Sequence, residues 1–177
     1  VHPEKIWRNT GLEDGDHLIL TKPIGSGVLL NANKKDLVSH NALQECIDSM
    51  TKLNKTAAEI MADYEIHGAT DITGFGFAGH ALEMVQGYNL TLNFSLSKIP
   101  FFREASQMYL NGITTRVNKI NREMVEPHWS FAKETRSEEL ELLLDPQTSG
   151  GLLFAVPEDQ SGSTLSALHN AGITSSK

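Results

Sequence analysis

Two aspartates in this sequence stand in settings that could do chemistry. The first, Asp71, lies in Ala69-Thr70-Asp71-Ile72-Thr73-Gly74-Phe75-Gly76-Phe77-Ala78-Gly79-His80. The stretch reads as a short extended piece, a glycine turn and a helix start. Glycines let the backbone approach a ligand closely, and the free N–H groups of a helix start face an anion. A carboxylate beside them can hold magnesium, a hard cation that shares its oxygen ligands with substrate phosphates. A plainer reading fits equally: Asp71 and Thr73 cap the helix, while Gly74, Gly76 and Gly79 permit tight packing. The pattern matches neither the P-loop nor the dinucleotide-binding fingerprint.

The second aspartate opens Asp145-Pro146-Gln147-Thr148-Ser149-Gly150-Gly151. Asp, Thr and Ser side chains can close turns, and two successive glycines can present N–H groups as an anion nest. An ordinary helix-to-strand turn explains the same residues. A third segment, Lys22-Pro23-Ile24-Gly25-Ser26-Gly27, places a lysine beside a turn, where it either reaches a phosphate or sits on the surface. His67 and His80 flank the Asp71 segment without acidic or sulfur partners at ligand spacing, so a zinc site is not expected. The single cysteine, Cys46, falls among Leu43, Ile47 and Met50 at helical spacing and reads as a buried, inert thiol.

These segments need elements to hold them. Residues 1–16 are polar, with Pro3, Gly11 and Gly15, and read as a linker. His17 to Thr21 reads as a strand. Leu43, Cys46, Ile47, Met50, Leu53, Ala57, Ile60 and Met61 recur every three or four residues, which predicts one long helix capped by Ser39 or Asn41 and ending before His67-Gly68. A second helix follows the Asp71 turn and stops at Gly87. Leu90, Leu92, Phe94 and Leu96 alternate with polar residues and predict a half-buried strand. Pro100 to Leu110 reads as a helix closed by Asn111-Gly112, and Asn118 to Thr135 as a long polar loop. Ser137 to Leu144 reads as a short helix, Leu152 to Val156 as a strand, and Pro157-Glu158 as the opening of a last helix. The expectation is an α+β fold: two layers, with a mixed sheet and helices on one face.

Composition sets outer limits. The 177 residues are one domain's worth, with 40% hydrophobic and 21% charged residues, as in ordinary globular proteins. A net charge of −7 argues against non-specific nucleic-acid binding. No apolar run approaches the ~20 residues a membrane helix needs. One cysteine forms no internal disulfide, which makes a reducing cytoplasm the expected home.

Taken in order, Leu20 to Val28, Leu53 to Ala58, Ala69 to Gly76 and Asp145 to Gly151 resemble selenophosphate synthetase (selenide, water dikinase). The resemblance runs over nearly the whole chain and implies the C-terminal domain of an aminoimidazole ribonucleotide synthetase-like fold. It implies an enzyme that makes selenophosphate from selenide, ATP and water, releasing AMP and phosphate. It assigns Asp71 as a magnesium ligand in the ATP complex. It places Thr70, Thr73, Gly74 and Gly76, with Asp145, Gln147, Thr148, Ser149 and Gly150, near nucleotide or substrate. It also implies an N-terminal domain that dimerises and carries the reactive cysteine or selenocysteine and its lysine. Nothing in this chain matches that segment, and Cys46 is not its equivalent. On this reading residues 17–177 form the C-terminal domain, cut before its last strand, without a catalytic residue of its own; the piece is expected to be inactive alone, and either monomeric or associated through apolar surface that the N-terminal domain would cover. Two alternatives stay open: another ATP-using member of the superfamily (an aminoimidazole ribonucleotide synthetase, a thiamine phosphate kinase or a hydrogenase-maturation protein), or a non-catalytic interaction domain.

Overall fold

The computed structural model describes residues 6–132 and 134–174. Three strands form the sheet: β1 (His17–Leu20), β2 (Gly68–Asp71) and β3 (Leu152–Val156), in the order β1-β3-β2. Both pairings are antiparallel, with Leu20 opposite Leu153 and Asp71 opposite Leu152. The α+β class stands, with two corrections of detail. The sheet is antiparallel rather than mixed; among the described residues the one parallel contact is a bridge between Ile24 and Phe101 outside the named strands. Apolar side chains also leave the sheet on both faces, not one. Leu20, Leu153 and Ala155 pack with the fourth and seventh helices, while Ile19, Phe154 and Val156 pack with Met61 and Leu168.

Eight α-helices surround the sheet among the described residues: α1 (Ser26–Asn33), α2 (His40–Thr51), α3 (Lys55–Met61), α4 (Gly76–Val85), α5 (Ala105–Leu110), α6 (Arg116–Val125), α7 (Ser137–Leu144) and α8 (Glu158–Asn170). The Ser39 hydroxyl accepts from Ala42 N and caps α2, as its sequence predicts. The single long helix expected there is two. Lys52 turns extended at ψ 120°, its carbonyl accepts from Lys22 Nζ, and Leu53 is left 76% exposed. The apolar period ran through this break because Ala57 and Met61 bury themselves against a different cluster.

Three further expectations are corrected. Residues 90–95 form no ladder among the described residues: Leu90, Leu92 and Leu96 lean on the core and Phe94 meets Phe77 edge-on at 4.9 Å. Alternation reported one-sided burial there, not strand pairing. The Pro100 segment stays extended through Phe102, with Ile24 N bonded to Pro100 O and Phe102 N to Ile24 O, and helix starts only at Ala105. The expected loop from Asn118 to Thr135 begins as α6, which runs to Val125 and is capped by the Thr115 hydroxyl, and continues in a 3-10 turn at Glu126–His128.

Residues 6–16, read as a linker, lie against the domain. Leu12 is buried in the core, Trp7 meets Phe154 edge-on, and Ala69 N donates to Arg8 O at 2.7 Å.

Candidate functional site

The Asp71 and Asp145 segments meet side by side. Beyond the paired strands, Ile72 N donates to Gly151 O and Gln147 N to Thr73 O, so the turn runs along the end of β2. The approach needs glycine at 150, where a Cβ would stand 2.1 Å from Ile72 O. It also needs Gly76, at φ +70°, whose missing side chain would collide with the Leu144 carbonyl.

The two aspartates then part company. Asp145 is fully buried. Its Oδ2 accepts from Gly27 N at 2.8 Å and Gln147 Nε2 at 2.9 Å; its Oδ1 accepts from Val28 N at 2.8 Å and Tyr109 Oη at 2.6 Å. The carboxylate therefore caps α1 from 117 residues away, at the end of the helix that favours negative charge. Burial pushes the Asp145 carboxyl up to about 7 against the pull of these four donors. Burial, and then Asp145 itself, also raises the Tyr109 phenol, so the hydroxyl stays protonated and donating.

Gln147 completes the clasp. Its Oε1 accepts from Gly25 N, Ser26 N and Ser26 Oγ, and its Nε2 also donates to Asp145 O. Thr148 N donates to Ser26 Oγ. Asp145 and Gln147 thus face inward and tie the turn to α1.

Asp71, Gly74, Thr148 and Ser149 are the outward members of the group. Asp71 is exposed at the end of β2, and Thr70 Oγ1 donates to its backbone carbonyl. Thr73 is half-buried, with its hydroxyl 3.1 Å from His80 Nε2; His80 Nδ1 in turn lies 2.9 Å from Glu83. Gly74 has open space around it, and its carbonyl accepts from Asn121 Nδ2. Ser149 takes the left-handed conformation, φ 48°, in the open turn.

Two side chains grip this turn from behind. Lys22 is 7% exposed, and its Nζ donates to Ser149 O at 2.9 Å and Lys52 O at 2.8 Å. Neither alternative drawn from the sequence, phosphate arm or surface lysine, describes it. Burial, with the nearby Lys52 charge, lowers its pKa. Asn54 Nδ2 donates to the next carbonyl, Gly150 O, at 2.9 Å. Tyr109, Asn118 and Asn121 support the site from α5 and α6 without any local sequence signal. Asn118 reaches Glu141 O and Oε2, and Asn121 joins Gly74 O to Leu144 O.

No three His, Cys, Asp or Glu side chains among the described residues come together as a metal cage. Asp71 offers one exposed hard-oxygen ligand. That suits magnesium completed by phosphates, water or groups from elsewhere, and does not suit a cation held by this chain alone. Cys46 is buried, and burial, with the Asp145 and Glu45 charges, pushes its thiol up to about 11. It carries no thiolate for nucleophilic attack at neutral pH. None of the helices is long and apolar enough to cross a membrane among the described residues.

A small antiparallel sheet wrapped in helices, with a glycine turn clasped against an exposed strand-end carboxylate, defines the class. The chain belongs to the family described as AIR synthase related protein, C-terminal domain, whose profile matches residues 13–177. It is 37% identical over 177 residues to selenide, water dikinase 2 of Peptoclostridium acidaminophilum, covering 100% of this chain and 51% of that protein. It is 40% identical over 173 residues to selenide, water dikinase of Carboxydothermus hydrogenoformans, covering 98% and 50%. The chain therefore spans about half the length of the curated relatives it matches. Among solved structures, a hydrogenase maturation protein HypE superposes with a TM-score of 0.67 at 15% identity, over 96% of this chain and 44% of that one. Thiamine-monophosphate kinase from Stenotrophomonas maltophilia superposes at 0.62 and 12% identity, over 94% and 47%. At such identities these two establish the fold alone.

Proposed function

We propose that this chain is the C-terminal part of a selenide, water dikinase, which forms selenophosphate from selenide, ATP and water and releases AMP and phosphate. The observation that carries the reading is identity of 37–40% with enzymes of that name along essentially the whole chain. The tightly built Asp145–Gly151 turn supports it, since this is the most distinctive part of the resemblance.

In this reading Asp71 is the residue of this chain that holds magnesium against the ATP phosphates. The ion would neutralise charge that gathers on the phosphoryl groups during transfer. In this reading Thr70, Thr73, Gly74, Thr148 and Ser149 lie near the nucleotide or substrate. Gly76, Asp145, Gln147 and Gly150 shape the backbone behind it. The reacting nucleophile and the remaining metal ligands come from a further N-terminal domain, through which the enzyme dimerises, in the cytoplasm.

The test is AMP release from the full-length parent with and without selenide. Selenide-dependent AMP release from the parent, and none from this chain alone, is the expected result. Turnover of a purine or thiamine intermediate without selenide would favour another member of the superfamily. Unchanged ATP turnover after Asp71→Asn would favour a non-catalytic role for this domain.

A further inference from the structure

We infer that Lys22 is a positioning residue for the Asp71 site, acting through the backbone of the 148–150 turn; this rests on the function proposed above. Lys22 Nζ and Asn54 Nδ2 come from separate elements and hold consecutive carbonyls, those of Ser149 and Gly150. Ser149 carries a side chain in the left-handed region, a conformation that is unfavourable without glycine and persists where its surroundings fix it. Gly150 in turn abuts Ile72 O, the residue next to Asp71.

The chain of contact is therefore short and backbone-borne. The ammonium holds the Ser149 carbonyl, the turn holds Ile72 and Thr73, and these hold the end of β2 that presents Asp71. Lys22 also binds Lys52 O, where α2 breaks before α3, so the same group secures Asn54 in its place. An ammonium suits this task because its three donors radiate from one atom and can serve carbonyls from two segments. With both contacts directed at protein carbonyls, Lys22 acts on the site from behind and does not serve as the phosphate arm.

The test uses the full-length parent with Lys22→Met, which keeps the stem and removes the donors, alone and combined with Asp71→Asn. Supporting residues behind a metal ligand commonly change metal affinity or activity by about 10- to 100-fold. Lys22→Met is expected to raise the magnesium concentration for half-maximal AMP release about tenfold and to lower kcat. It should also speed amide hydrogen exchange across residues 147–152 and 72–75 in the nucleotide-free protein. The double variant should turn over no more slowly than Asp71→Asn alone.

Multiplying effects in the double variant, or a lower melting temperature with unchanged magnesium dependence and exchange in the turn, would overturn the inference. Should Lys22→Met not fold, Asn54→Ala decides: it loosens only Gly150 O and should shift the magnesium dependence in the same direction by less, and no shift overturns the inference. Full activity in Asp71→Asn would overturn the functional proposal and this inference with it. An impaired Asp71→Asn beside a normal Lys22→Met overturns the inference alone.

Discussion

Asp145 and Asp71 stand at the two ends of one clasped unit, and their surroundings could hardly differ more. Asp145 is fully buried and meets four donors: Gly27 N, Gln147 Nε2, Val28 N and Tyr109 Oη. Asp71 is exposed, and its carboxylate accepts no hydrogen bond among the described residues. Sequence offers both as an acidic residue beside glycines. The difference teaches that a motif can divide its labour: one aspartate closes the scaffold so that the other can be presented.

The largest effect is expected where donors would be orphaned. Asp145→Ala leaves the Gly27 and Val28 N–H groups of α1 without their acceptor and takes one of two acceptors each from the Tyr109 hydroxyl and the Gln147 amide. It should cost about 3 kcal/mol of stability or more, measured by urea denaturation. Asp71→Asn should leave the unfolding midpoint within about 0.5 kcal/mol of wild type. In the full-length parent it should lower selenide-dependent AMP release on the order of 100-fold. The contrast breaks if the roles exchange: a destabilised Asp71→Asn, or an Asp145→Ala that folds normally and loses only turnover.

A third outcome separates the two aspartates by pH. Folding raises the Asp145 carboxyl from its ordinary 3.8 to about 7, because burial disfavours the charge more than the donors restore it. The unfolded chain then binds fewer protons than the folded one between these values. The contribution of Asp145 is therefore complete below about 4 and is lost as pH rises toward 7. Urea midpoints across pH 4 to 7 should show that decline, and Asp145→Asn should flatten it even though it is less stable throughout. A wild-type profile that falls no more steeply than that of Asp145→Asn would mean the four donors match or outweigh burial.

How much of this was legible in the sequence depended on where each residue finds its partner. Ser39 caps α2 from the adjacent position, and the apolar period of β3 and α4 is local, so those elements could be read directly. α1 could not, because its cap is the Asp145 carboxylate and its flanking glycines mimic a plain turn. α6 could not, because the face it buries includes Asn118 and Asn121, bonded to Glu141, Gly74 and Leu144. An amide face gives no hydrophobic period. Asp71 and Lys22 were legible as candidates from their glycine contexts, whereas the grip of Lys22 and Asn54 on the turn was not, since their partners are backbone carbonyls 127 and 96 residues away.

The smallest predicted effect sharpens the comparison with a third aspartate. The Asp16 side chain is 5% exposed, nearly as buried as Asp145, but its partner can carry charge: His67 Nδ1 lies 2.8 Å from Asp16 Oδ1. Asp16 Oδ2 accepts from Glu13 N at 2.8 Å, which closes the turn at residues 13–16. Burial opposes the imidazolium, yet the Asp16 hydrogen bond and charge, with Glu65 and Glu13, raise the His67 pKa above its ordinary 6.5. A raised histidine contributes stability that is complete below 6.5 and lost as pH climbs through the folded value. The contribution is on the order of 1 kcal/mol. Subtracting urea midpoints of His67→Gln from wild type between pH 5.5 and 8.5 isolates it from the Asp145 decline. The difference should shrink as pH rises, and parallel curves would mean that Asp16, like Asp145, is held by neutral donors alone.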